Sequence, residues 1–443
     1  MPQSEVPGGG VPSMIRRALG QAFTARTEQP SIPLNEIWRC AVAKYPYPLF
    51  SLEERAARWK RVREVMAREG FDVIVAPNNS GHSLDFQADA RYLSHCGGGG
   101  DTDIACIFPL EGEVTVAAKD AAERWLTTQD WVTDVRESER RYGDVIIERL
   151  RELKVDHGRI AVSGLGPGNR TPEGTVGYLQ MKAMLEAFPN AEFVDCTSQM
   201  QAIRSVKSDE EIGFLTKSIE LIEHGIDAKV AAAKPGAIDY EVWADAIYAM
   251  IKRGCELPTH YNWVSGPEPH RTLSRPSHRV LELGDVIEDE LEASWQGYRS
   301  QAVQPVWVGQ CPPIYQDLVK IHREVFDGIM ETLRPGVTVR ELQAATEHAV
   351  AEATPATGPL AGCTAALTMH GRGQGDDRPL ITNPRAASRY LDLQLDERNV
   401  FILKPNVKTA DGQRLTWGDT VTIDANGARR LGSRVHDVRV SDV

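Results

Sequence analysis

Between Gly284 and Gly309 the chain reads as two strands, Val286 to Ser294 and Tyr298 to Val308, the second carrying Tyr, Val and Trp, with Gln296-Gly297 between them. Successive side chains of a strand point to opposite faces. A two-residue link ending in glycine supplies the positive φ of a tight hairpin turn. The segment is therefore predicted to be a β-hairpin in which Glu292 lies opposite Gln301 and Glu290 is its diagonal neighbour. Glu288, Glu290 and Glu292 then share one face. A solvated face accepts three carboxylates readily, and so does a functional site that uses them. The pattern alone leaves both readings open.

Helical periodicity takes over elsewhere. Ser51 to Gly70 carries a serine at the N-cap position, glutamates in its first turn and a glycine at its end. Phe71 to Pro77 reads as a buried strand, and Asp103 to Ala118 as a second hairpin turning at Glu111-Gly112. A later helix stops at Lys234-Pro235-Gly236. The next has Val242, Ala246 and Met250 on one face and Gly254 as its stop. These elements divide the chain into an α/β region over 48–198 and a second domain over 199–443. The crossing between them is short, which predicts rigid packing. Residues 1–47 read as a polar arm bearing Gly and Pro. Its basic stretch Met14 to Arg26 has the charge of a transit peptide but few apolar positions, so an arm ordered by a partner subunit is expected. Gly97 to Gly100 is not a phosphate loop, because no Lys-Ser/Thr follows. It is read as a flexible loop reaching toward a partner's site, with Phe86, Arg91 and Tyr92 as side chains it offers or as ordinary packing residues.

Composition narrows the function classes. With 42% hydrophobic and 25% charged residues over 443 positions, the chain has the profile of a soluble globular protein of two or three domains. A net charge of −12 argues against a nucleic-acid partner. No apolar run is long enough to span a membrane. The seven cysteines are scattered, odd in number and without CxxC spacing, which suits a reducing cytoplasmic location.

From about Ser198 to Gly432 a series of motifs appears in a characteristic order: Ile203 to Leu215, Ala231 to Gly254, Val264 to His270, Gly284 to Tyr298, Leu333 to Leu342, Met369 to Pro379, Val400 to Gly412 and Trp417 to Leu431. In that order they resemble the C-terminal domain of the creatinase/aminopeptidase P/prolidase superfamily. The implied architecture is mixed α/β (α+β), with a small N-terminal α/β domain followed by a pita-bread domain. The resemblance also implies a homodimer with shared active sites.

Metallopeptidases of that superfamily hold two metals with two Asp, one His and two Glu. Matched to their motifs, the Asp positions are Glu290 and Gln301 here, the His is His370, the first Glu is Lys404, and the second falls at or beside Gly418. Gln carries no charge, and an ammonium has no free lone pair. One His and one Glu do not close a site for a hard divalent ion. The expectation is a retained fold without the metal, as in creatinase, and with no other cofactor. The resemblance places His270 as the proton shuttle, with His278 as a rival, and His370 over the site. Glu290 is expected to pair with Lys404 and to serve beside the two histidines as a catalytic group. Gln301, Lys404, His260, Tyr298 and Arg372 are expected to bind polar parts of a small-molecule substrate. The functional expectation is a metal-independent hydrolase of a C–N bond in an amide, urea, guanidine or cyclic amidine. The alternatives are a non-catalytic pseudo-peptidase, a metal-dependent Xaa-Pro peptidase and a dimethylsulfoniopropionate-type lyase.

Overall fold

The computed structural model describes residues 47–78, 87–98, 102–120, 122–257, 262–268 and 275–443. The arm, Phe86, His260 and His270 lie outside these residues. Residues 47–443 belong to one compact unit.

The first helix, α1 (Leu52–Glu69), starts where the sequence says it should. The Ser51 hydroxyl accepts from the Glu54 amide at 2.9 Å, and Gly70 closes the helix at φ 71°. It packs beside a six-stranded mixed sheet built from β1 (Val73–Ala76), β2 (Ile104–Pro109), β3 (Thr115–Ala118), β4 (Asp134–Glu137), β5 (Arg159–Val162) and β6 (Glu192–Asp195), in the order β4-β3-β2-β1-β5-β6. The expected hairpin is β2–β3. Helices α2 (Ala88–Ser94), α3 (Ala122–Leu126), α4 (Tyr142–Glu152) and α5 (Tyr178–Ala187) complete this domain, and α6 (Thr197–Ser205) leads out of it.

The second domain opens on α7 (Asp209–Ala232), whose start is fixed by a capping box between Ser208 and Glu211. After α8 (Asp239–Ile251) come β7 (Asn262–Gly266), β8 (Val286–Trp295), β9 (Tyr298–Ala302) and β10 (Val306–Trp307). The predicted hairpin is β8–β9. Gln296 and Gly297 both have positive φ, 51° and 83°, as a tight hairpin turn requires. The register pairs Glu292 with Gln301. Helices α9 (Pro313–Thr332) and α10 (Val339–Ala353) follow. The remaining strands are β11 (Thr364–Ala366), β12 (Met369–Gly371), β13 (Leu380–Ile381), β14 (Val400–Leu403), β15 (Asn406–Lys408), β16 (Arg414–Thr416), β17 (Asp419–Asp424), β18 (Gly427–Arg430) and β19 (Arg439–Val440). They form a five-stranded sheet β13-β12-β14-β17-β18, a three-stranded sheet β11-β15-β16, and the end of the sheet β19-β10-β8-β7.

The two domains share a core. Phe50, Val62 and Trp131 from the first are continuous with Phe214, Leu221 and Tyr298 from the second. At its centre the buried Arg58 guanidinium donates to Glu54 and to the Tyr92 carbonyl and lies over the rings of Phe50, Tyr92 and Trp131. Arg91 ion-pairs with Glu256 at 3.3 Å, and its guanidinium packs against Gly297 of the hairpin turn. Arg91 therefore ties the domains together and Tyr92 packs in the core they share, the packing role left open above.

Candidate functional site

Four residues from four strand segments meet at one point. Glu290 lies on β8, with Asn262 directly opposite it on β7. Gln301 lies on β9, fixed by a reciprocal pair of bonds with Thr420: its amide donates to the Thr420 hydroxyl at 3.0 Å, and that hydroxyl donates to the Gln301 carbonyl at 2.8 Å. Lys404 follows β14, and its backbone amide donates to the Thr368 carbonyl at 2.9 Å. The Lys404 ammonium donates to Glu290 Oε1 at 2.6 Å and to Gln301 Oε1 at 3.2 Å. The second Glu290 oxygen accepts from Asn262 Nδ2 at 2.8 Å and Gln301 Nε2 at 3.3 Å. Both ions are thus satisfied, as a buried pair must be.

This pair is nearly dry: the Lys404 side chain is 6% exposed and that of Glu290 16%. Burial alone would push the Glu290 carboxyl up. The Lys404 ammonium, aided by the Asn262 amide, reverses that and holds it at about 2. Burial also moves the Lys404 ammonium below its ordinary value, against the pull of Glu290. The short contact and the amides at both ends favour the charged pair at neutral pH. Glu290 is then a fixed negative charge, and not a group that exchanges protons near neutrality.

His370, on β12, pairs across to Ile402 of β14, two residues before Lys404. It is buried, and Nδ1 lies 3.4 Å from Asp376 Oδ2. Burial lowers its pKa to about 4, with the Lys404 and Arg372 cations adding to the effect and Asp376 opposing it. The ring is a neutral imidazole at physiological pH. Gly371 and Gly373, read from the sequence as allowing close approach to a ligand, instead make room within the protein. A side chain at 371 would strike the Asp377 backbone, and one at 373 the Lys207 side chain.

The remaining expected residues lie elsewhere in the fold or outside the described residues. Tyr298 is three positions from Gln301 and so faces the other side of β9. Its hydroxyl donates to Glu211 at 2.8 Å in the interdomain core. Arg372 sits behind the site with its guanidinium spent on two buried carboxylates, Asp376 at 2.8 Å and Glu292. His278 is exposed and its ring meets Tyr240 edge-on. His260 and His270 fall outside the described residues. Sequence reasoning missed Asn262, legible only once the β7–β8 register is known. It also missed Asn169 and Arg170. Both reach from the N-terminal domain of the same chain to the loop after His370: Asn169 Nδ2 donates to the Asp376 carbonyl at 3.0 Å and Arg170 Nε to its carboxylate at 2.9 Å.

The donor set does not fit a two-metal centre. Among the described residues no three His, Cys, Asp or Glu side chains come together as a metal-binding group. A Cβ added at Gly418 would lie 2.5 Å from the Lys404 Cβ, so position 418 has no room for a side chain beside this lysine. The lysine and the glycine fit one another.

Residues 214–429 match the model of metallopeptidase family M24. The C-terminal domain belongs to the creatinase/aminopeptidase P/prolidase superfamily. An Xaa-Pro dipeptidase of Pyrococcus horikoshii is 22% identical over 374 residues, 84% of this chain and 95% of the relative. A creatinase of a Bacillus species is 25% identical over 313 residues, 67% of this chain and 71% of the relative. The crystal structure of an X-Pro aminopeptidase from Thermotoga maritima superposes with a TM-score of 0.69 at 20% identity, covering 86% of this chain and 99% of that one. The likeness establishes the pita-bread fold with its preceding N-terminal domain. No helix among the described residues is long and apolar enough to cross a membrane.

Proposed function

We propose that the protein is a hydrolase that cleaves a C–N bond in a small polar molecule without a bound metal. The observation that carries this reading is the Lys404 ammonium seated between Glu290 and Gln301, where the metal-bearing relatives place carboxylates around cations. A preorganised ammonium in a dry site stabilises developing negative charge on a carbonyl or amidine carbon's substituent much as a cation would. Glu290, locked in its ionised form, orients an attacking water or holds a positively charged part of the substrate. The proton released by that water needs a base of near-neutral character. His270 is the proposed shuttle on the strength of the resemblance, and the His370 imidazole, kept neutral and weakly basic by burial, is proposed to contact the substrate as a hydrogen-bonding group. The proton then passes to the departing nitrogen. We further propose a cytoplasmic homodimer with no nucleic-acid or membrane partner.

A second reading, a metal-dependent Xaa-Pro peptidase, is favoured by the relative with the broader alignment, which carries that name. One assay separates the two. Purified protein is offered small amides, ureas, guanidines, cyclic amidines and Xaa-Pro dipeptides, with and without chelator, and amine release is followed. The first reading expects turnover of a non-peptide substrate that chelator leaves unchanged. Dipeptide cleavage abolished by chelator and restored by manganese would overturn it.

A further inference from the structure

Two buried histidines outside the expected catalytic set lie against the segment that carries Lys404. His322, on α9, is 0% exposed, and His436, in the segment after β18, is 7% exposed. His322 Nδ1 lies 2.9 Å from His436 Nε2. The other ring nitrogen of His322 meets two backbone groups at once: the Pro405 carbonyl at 2.9 Å and the Trp417 amide at 3.2 Å. Pro405 is the residue after Lys404, and Trp417 the residue before Gly418, whose missing side chain makes room for Lys404. His436 in turn stacks on the Trp417 indole, with ring centroids 4.0 Å apart and planes 13° from parallel. Arg323 donates to the His436 carbonyl at 2.7 and 3.1 Å, which anchors that segment to α9.

Packing does not require two imidazoles in this core. An aromatic hydrocarbon would fill the space without bringing polar atoms that must be matched. What the His322 imidazole adds is a bond from one ring nitrogen to one of the two chain segments that carry Lys404 and Gly418, at the Pro405 carbonyl or the Trp417 amide, while its other nitrogen engages His436, which stacks on Trp417 beside Gly418. We infer that His322, oriented by His436, is a positioning residue that clamps those segments together and so fixes the Lys404 ammonium on Glu290 and Gln301. The inference rests on the reading of Lys404 as the site's fixed charge. One ring nitrogen either donates to Pro405 or accepts from Trp417, according to the tautomer. A glutamine side chain carries a donor and an acceptor and can serve both partners, whereas phenylalanine can serve neither.

The test is acetylation of lysines by N-hydroxysuccinimidyl acetate on the intact full-length protein, read site by site by mass spectrometry. Lys207 and Lys229, also buried, report whether the fold as a whole stays closed, and the exposed Lys60 reports reagent activity. In wild type Lys404 should be protected. In His322→Phe its labelling should rise about tenfold, the scale of losing one net hydrogen bond, while Lys207 and Lys229 stay protected. His322→Gln should restore protection. If His322→Phe fails to fold, His436→Phe, which keeps the stack on Trp417, carries the same expectation with a smaller rise. Unchanged protection of Lys404 in these variants, or loss of protection at all three buried lysines together, would overturn the positioning role. Ready labelling of Lys404 in wild type would instead overturn the reading of Lys404 on which it rests.

Discussion

Replacing Lys404 with methionine should destabilise the protein by about 3–5 kcal/mol at neutral pH, the usual cost of stripping one member from a buried ion pair. The loss arises because Glu290 would be left charged in a nearly dry site with only the Asn262 and Gln301 amides as partners. The pH dependence gives the mechanism away. In wild type the Glu290 carboxyl is held at about 2, below its ordinary value of 4.5. Its contribution to stability is therefore present above 4.5 and is lost as the pH falls through that window. Without Lys404, burial raises the same carboxyl, which favours the protonated form in the folded state. The difference between wild type and variant should be largest above the variant's raised carboxyl value, begin to shrink as the pH falls through that value, which lies above 4.5, and go on shrinking down to about 2. Adding Glu290→Gln to Lys404→Met removes the stranded charge and should recover at least half of the loss. Urea unfolding at several pH values measures this, and a difference independent of pH would show that the pair is not coupled. On a substrate, Lys404→Met should also lower turnover by roughly 10²–10³-fold, as expected for removing a preorganised charge.

Arg372→Met is expected to have a comparable effect on stability, again about 3–5 kcal/mol. The guanidinium joins Glu292 on the hairpin to Asp376 on the loop after His370. Its removal leaves two buried carboxylates short of a partner, with Arg299 at 3.9 Å from Glu292 and Arg170 at 2.9 Å from Asp376 as partial compensation. The expected order of effects is the reverse of that for a substrate contact: unfolding at lower urea first, and weaker substrate binding only through the loosened His370 loop. An Arg372→Met protein with wild-type stability and a raised KM would instead return Arg372 to the substrate-contacting set.

How much of this was legible in the sequence depends on the range of the interactions. The register of the β8–β9 hairpin was readable, because strand geometry and a glycine-bearing turn fix it locally, but the second strand, expected to run from Tyr298 to Val308, ends at Ala302 and resumes as β10. The same rule, applied to Tyr298 and Gln301, puts them on opposite faces, so the grouping of Tyr298 with the site was avoidable. The meeting of Glu290, Gln301 and Lys404 spans more than a hundred positions and came only from the order of motifs. Arg372 looked available because nothing local names Glu292 and Asp376 as its partners. The contact of Asn169 and Arg170 with Asp376, and the pairing of His322 with His436, join segments that no periodicity connects. His260 and His270 remain expectations from motif position, since they lie outside the described residues.

The proposed replacement of metal by the Lys404 ammonium can be tested on the protein's metal content. Elemental analysis of the full-length protein after exhaustive dialysis, with zinc, manganese, iron and cobalt each offered beforehand, tests it most directly. Well under roughly one-tenth of an equivalent of any of them is expected, because neither a lysine nor an amide nitrogen offers a hard cation the ligands it needs. About one equivalent of a single metal, lost on substituting His370 or Glu290, would contradict it.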